Sequence, residues 1–128
     1  MNFHLWNMLA NLKNGQLSKK TYILQKKTIL CSKILNLLWD EGYILGYKIY
    51  SENSDFFIIF LKYYKNVPCI NNIHGISKPS CRIYLSTKNI WKIENEIGLF
   101  ILSTNKGILS SRTCKRFNIG GELLIYLN

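Results

Sequence analysis

The chain has 128 residues, 48% of them hydrophobic, and carries 17 Lys+Arg against 7 Asp+Glu, a formal net charge of +10. That length supports one domain or two small ones, and that apolar content excludes general disorder. So large a positive charge favours an anionic partner, nucleic acid ahead of a membrane surface, and weighs against a generic metabolic enzyme.

Leu5, Met8, Leu9 and Leu12 recur at helical spacing, and Lys13-Asn14-Gly15 is expected to close that helix. Ser18–Lys20 reads as a polar turn and Thr21–Leu24 as a short strand or extended link. A second helix is expected from Thr28 to Glu41, with Leu30, Ile34, Leu37 and Leu38 as its apolar face, widened by Cys31 and Leu35, and Gly42 at its cap. Tyr43–Tyr50 and Asp55–Tyr64 are rich in aromatic and β-branched residues and predict a hairpin around Ser51–Ser54. The pattern breaks at Lys65–Pro68, which divides the chain into an N-terminal subdomain, residues 1–66, and a C-terminal one, residues 67–128. Cys69–Ile76 and Cys81–Leu85 read as strands around the turn Ser77-Lys78-Pro79-Ser80. Asn89–Glu96 reads as a short connection or a single helical turn, and Leu99–Leu102 as an apolar strand. Ser103–Gly107 is expected as a loop, Ser110 as the N-cap of a helix to Phe117, and Glu122–Leu127 as a last strand after Gly120-Gly121. The expected fold class is α+β: two small packed α/β subdomains with mixed or antiparallel short sheets.

The longest apolar run, Phe56–Leu61, is far below the ~18 residues needed to span a bilayer. Met1–Trp6 has no basic segment or small-residue cleavage site and is not an Arg-rich transit peptide. The chain is therefore expected to work where it is made, unless a leader was removed beforehand. The chain has 18 Ile, 18 Leu, 14 Asn and 14 Lys beside one Ala, one Val and three Arg. Ile, Asn and Lys have AT-rich codons, which points to an AT-rich genome, as in many mitochondria, plastids and some bacteria. Cys31, Cys69, Cys81 and Cys114 contain no Cys-x-x-Cys pair, and His4 and His74 lack ligand spacing. The expectation is free, mostly buried thiols and no metal site.

Three segments are candidates for chemistry. Ser103-Thr104-Asn105-Lys106-Gly107 combines short hydrogen-bonding side chains, a cation and a glycine, a set suited to phosphate oxygens, ribose hydroxyls and base edges. The same set also serves as a plain polar connection. Lys106-Gly107 has the wrong order for a phosphate-cradling nucleotide loop. Arg112, Lys115 and Arg116 share one helical face, either meeting phosphates or standing in solvent. Arg82 and Tyr84, two apart in a strand, fit a base or a backbone unless Tyr84 packs in the core. Lys13, Asn14, Lys19, Lys20, Lys26 and Lys27 suit a phosphate-facing edge or mere solubility. No catalytic constellation stands out; a Cys/His pair is the one enzyme reading the residues permit.

Gly98-Leu99-Phe100-Ile101-Leu102-Ser103-Thr104-Asn105-Lys106-Gly107-Ile108-Leu109-Ser110-Ser111-Arg112, followed by Gly120-Gly121-Glu122, resembles the signature of the small-ribosomal-subunit protein eight family. Ser77-Lys78-Pro79 and Arg82-Ile83-Tyr84 resemble its Ser-Lys-Pro-Gly-x-Arg-Ile-Tyr block. Met8-Leu9, Lys13-Asn14-Gly15 and Glu41-Gly42-Tyr43-Ile44 continue the likeness along nearly the whole chain. Asn105 stands where that family usually has Ser, Ser80 where it has Gly, and Phe3, His4 and Asn7 where it has Asp-Pro-x-x-Asp. The resemblance implies two small α+β domains binding the central domain of small-subunit ribosomal RNA at an irregular helix, early in assembly. It implies neighbouring small-subunit proteins as partners, and no catalysis, cofactor, membrane or small-molecule substrate. Its RNA-contacting positions correspond to Ser103, Thr104, Asn105, Lys106, Gly107, Tyr84 and Glu122. With the AT-biased residue usage, it implies a mitochondrial ribosome, with a plastid or AT-rich bacterial cytoplasm as the alternative. Because relatives also bind their own messenger RNA, an extra-ribosomal regulator recognising a mimic of the same site is the alternative function.

Overall fold

The computed structural model describes residues 3–76, 80–93 and 98–127. Ser77-Lys78-Pro79 and the end of the Asn89–Glu96 segment lie outside them. The chain divides into two compact units, Asn2–Asn71 and Asn72–Asn128. Among the described residues there are four helices, and every strand pairing is antiparallel, an α+β fold.

The first unit runs α1 (Phe3–Leu17), β1 (Tyr22–Lys26), α2 (Ile29–Asp40), β2 (Ile44–Ile49), β3 (Phe56–Leu61), β4 (Tyr63–Tyr64) and β5 (Val67–Pro68). Its main sheet has the order β1-β3-β2. Period-two alternation buries Phe57, Ile59 and Leu61 of β3, with Ile23 and Gln25 of β1. The helices bury Leu5, Met8, Leu9 and Leu12 from α1, and Cys31, Ile34, Leu35 and Leu38 from α2. Thr28 caps α2, its hydroxyl accepting from the Cys31 N–H at 3.2 Å.

Helix α1 does not stop at Lys13-Asn14-Gly15 but runs on to Leu17. Gly15 is there for close packing: a Cβ at this position would lie 2.7 Å from Ile23 Cγ2 and 3.0 Å from Leu61 Cδ1. The chain turns instead at Lys19, φ 55°, where the Lys20 N–H donates to the Gly15 carbonyl at 3.0 Å. Lys65 and Asn66, where the sequence pattern breaks, both have positive φ and join β4 to β5 in a two-residue hairpin.

The second unit runs β6 (Ile73–Gly75), β7 (Tyr84–Leu85), α3 (Thr87–Ile93), β8 (Leu99–Thr104), β9 (Gly107–Ser110), α4 (Ser111–Phe117) and β10 (Gly121–Leu127). The sheet order is β6-β10-β8-β9, with β7 also paired to β10. Ile90 of α3 and Cys114 of α4 pack with Phe100, Leu102 and Leu123 in one core cluster. A bulge in β10 between Leu123 and Ile125 re-phases the strand, so that Leu123, Leu124 and Ile125 are all buried. The strands expected over Cys69–Ile76 and Cys81–Leu85 shorten to β6 and β7, and α3 is a seven-residue helix rather than a single turn. All four cysteines are free; Cys31 and Cys114 are buried, Cys69 is half-buried and Cys81 is exposed.

Candidate nucleic-acid interface

Strand β10 organises the site. It pairs β7 on one side and β8 on the other, so that Glu122 stands opposite both Tyr84 and Ser103. Residues nearly forty positions apart in sequence thereby line one shallow groove of about 410 Å³, formed by Tyr84, Ser103, Thr104, Asn105, Ile119, Gly120, Gly121 and Glu122.

The Ser103–Gly107 segment is not a strand–helix loop. Ser103 and Thr104 end β8, Gly107 begins β9, and Asn105-Lys106 is the two-residue tip of a hairpin. The Thr104 hydroxyl donates to the Gly107 carbonyl at 2.8 Å and accepts from the Lys106 N–H at 3.2 Å. Its principal work is therefore to brace the tip. Asn105 and Lys106 are exposed, and Ser103 and Thr104 half-buried. Lys106 Nζ sits 5.3 Å from the Phe117 ring centroid.

Gly121 forms the floor of the groove. A Cβ there would collide with the Ser103 carbonyl and lie 2.9 Å from Thr104 Cγ2, so no side chain fits without moving β8. Tyr84 stands at the rim, 66% exposed, and is not a core residue. The Glu122 side chain is 13% exposed, and its Oε1 lies 3.8 Å from Arg82 Nη1. Glu122 Oε2 is buried with no hydrogen-bond partner. A carboxylate held between a tyrosine and short hydroxyl side chains can accept from base amino groups or ribose hydroxyls.

The structure thus brings together Tyr84, Ser103, Thr104, Asn105 and Glu122, borders them with Arg82, and places Lys106 and Gly107 at the hairpin tip. Arg112 and Arg116 are exposed on α4 and do not line the groove. Lys13 and Asn14 are exposed on α1 in the other unit, where Asn14 lines a recess of about 570 Å³ with Asn11, Lys20 and Thr21. Reading the sequence missed the part played by Ile119, Gly120 and Gly121. The Gly-Gly pair was a signal of close backbone approach as well as of a turn. Among the described residues no cluster of three His, Cys, Asp or Glu could hold a metal, and no helix is long and apolar enough to cross a membrane.

Residues 4–127 match the protein family described as Ribosomal protein S8. The small ribosomal subunit protein uS8 of Ehrlichia ruminantium is 42% identical over 120 residues, covering 92% of this chain and 91% of that one. The protein of the same name from Bartonella bacilliformis is 42% identical over 122 residues (94% and 92%), and that of Wigglesworthia glossinidia brevipalpis 36% over 121 (94% and 93%). An α+β fold carrying a strand-paired polar groove in a chain of net charge +10 defines a class of small cationic proteins suited to an anionic partner. Within that class, this chain belongs to the Ribosomal protein S8 family.

Proposed function

We propose that the chain is a structural constituent of the small ribosomal subunit that binds its ribosomal RNA through the β7–β10–β8 groove. Family membership makes it a ribosomal protein and not an enzyme. The observation that carries the RNA reading is the register placing Glu122 between Tyr84 and Ser103, with Thr104 and Asn105 beside them. Short polar side chains at a hairpin tip suit the base edges and 2′-hydroxyls that the shallow groove of an irregular RNA helix presents.

The RNA segment in this proposal is the central domain of the small-subunit RNA. The proposed compartment is a mitochondrion, on the strength of the Ile-, Asn- and Lys-rich composition; the relatives compared above are bacterial. The test is binding of the full chain to a central-domain fragment and to a scrambled RNA of equal length, with sedimentation from lysed source organelles. Preference for the fragment and co-sedimentation with small subunits are expected. Equal affinity for both RNAs would overturn the groove reading. Sedimentation apart from subunits with RNA preference intact would favour an extra-ribosomal regulator.

A further inference from the structure

Trp91 and Phe117 stand in solvent on the helical side of the second unit, 51% and 52% exposed. Ile90, the residue before Trp91, is fully buried in the core cluster, so α3 is anchored by Ile90 and turns the indole outward. Exposing half an indole forgoes burial that would stabilise the chain, so core packing gives no account of a tryptophan here. The ring also has a cation on it: Lys115 Nζ of α4 lies 3.9 Å from its centroid. A ring covered on one side by Lys115 and still half exposed turns its other side to solvent. Lys88, three residues before Trp91 on α3, shares its helical face, and Lys88, Lys92 and, on α4, Arg116 are exposed. The segment 72–128 carries eight Lys+Arg against three acids.

An accessible aromatic face with exposed cations on the same helices is what unpaired nucleotides require: a π-surface for the base and charges for the flanking phosphates. We propose that the α3–α4 face is a second RNA contact, with Trp91 stacking one unpaired base and Lys88 and Lys92 meeting the phosphates beside it. This rests on the RNA-binding reading above but uses none of the groove residues. A protein partner would need a wider apolar patch than two rings that each carry a lysine.

The test compares two RNAs: the irregular helix alone, and the same helix with a single-stranded extension of ~8 nucleotides at either end, within the usual site size of single-strand binders. For the wild-type chain the extension is expected to raise affinity about tenfold, the lower part of the range for one stacked base. Trp91→Ala is expected to lose that gain while binding the unextended helix as the wild type does, and Trp91→Phe to keep most of it. The pair Thr104→Ala and Asn105→Ala should weaken both RNAs by one common factor and leave the gain intact. No gain in the wild type, or a gain that survives Trp91→Ala, overturns the platform and leaves the groove standing. Failure to prefer the helix over a scrambled one overturns the groove reading instead, whatever Trp91 does. Loss of subunit incorporation by Trp91→Ala with both RNA affinities unchanged would reassign the face to a protein contact and overturn the proposal.

Discussion

Two buried glutamines in the first unit have opposite fates. Gln25 accepts from Asn11 Nδ2 at 2.7 Å and donates to the His4 carbonyl at 3.4 Å. Gln16, 2% exposed on α1, has both amide atoms buried without a partner. An unsatisfied buried polar group costs roughly 1–3 kcal/mol. Gln16→Leu, close in volume, is therefore expected to stabilise the isolated chain by about 1 kcal/mol or more, raising its urea midpoint with an unchanged slope. A lower midpoint would mean that the amide is satisfied in the folded chain. The cysteines separate in the same way. Burial pushes the Cys31 thiol up, with the Thr28 hydrogen bond acting weakly against it, and burial alone pushes Cys114 up. Thiols whose pKa is higher folded than unfolded contribute fully below the unfolded value, ~8.5, and lose that contribution as pH rises toward the folded one. The midpoint of thermal unfolding should fall above about pH 8.5, and less steeply in Cys31→Ala and Cys114→Ala. Iodoacetamide at neutral pH should label exposed Cys81 first, with Cys31 and Cys114 protected until unfolding.

At the scale of elements, the hairpin β8–β9 separates two roles that one polar segment had merged. Thr104 holds the tip by two hydrogen bonds, whereas exposed Asn105 is available to a partner. Thr104→Ala should cost about 1–2 kcal/mol of stability, and Thr104→Ser, which keeps the hydroxyl, only a few tenths. Asn105→Ala should leave the melting curve in place and weaken cognate RNA by roughly 5- to 150-fold. Melting curves and RNA titrations of the three variants check both statements; equal melting of Thr104→Ala and wild type would remove the brace. The same hairpin marks how far the sequence could be read. Helix α2 and the β2–β3 hairpin were legible because period and composition agree with their tertiary setting. Strand β9 was not, because Gly107–Ser110 is four residues running straight into the N-cap of α4. Ser103 and Thr104 look like loop by polarity, and only their pairing with β9 and β10 makes them strand. Gly15 looked like a helix stop because packing against Ile23 leaves no local trace. The groove was half legible: its residue types stood out, but the register seating Glu122 between Tyr84 and Ser103 is a long-range fact. Family resemblance supplied Glu122, which composition would never nominate.

Across the whole molecule, the charge of +10 is spread along the chain: residues 1–70 carry nine Lys against four acids, and the remainder eight Lys+Arg against three. The groove lies within the second unit, so its chemistry gives no reason for the first unit to be equally basic. Lys13 and Lys19 test whether that charge meets RNA. Both are exposed, and neither lines the groove. Lys19 has a competing structural role, because its left-handed backbone ends α1, where a cation also offsets the negative end of the helix dipole. Stability and binding must therefore be read separately. A lysine paired with phosphate releases condensed counterions and adds ~0.7–0.9 to the slope of log affinity against log salt. A flexible point charge on a phosphate carries no sequence information, so its loss weakens cognate and scrambled RNA alike. The double variant Lys13→Ala, Lys19→Ala is expected to lower that slope by about 1.5. It should preserve the ratio of cognate to scrambled affinity, and Lys19→Ala alone should account for any change in melting. Affinities measured over a salt series for both RNAs decide it. A slope equal to that of the wild type takes the two lysines out of the interface, and a changed cognate-to-scrambled ratio would mean that the first unit reads bases rather than backbone.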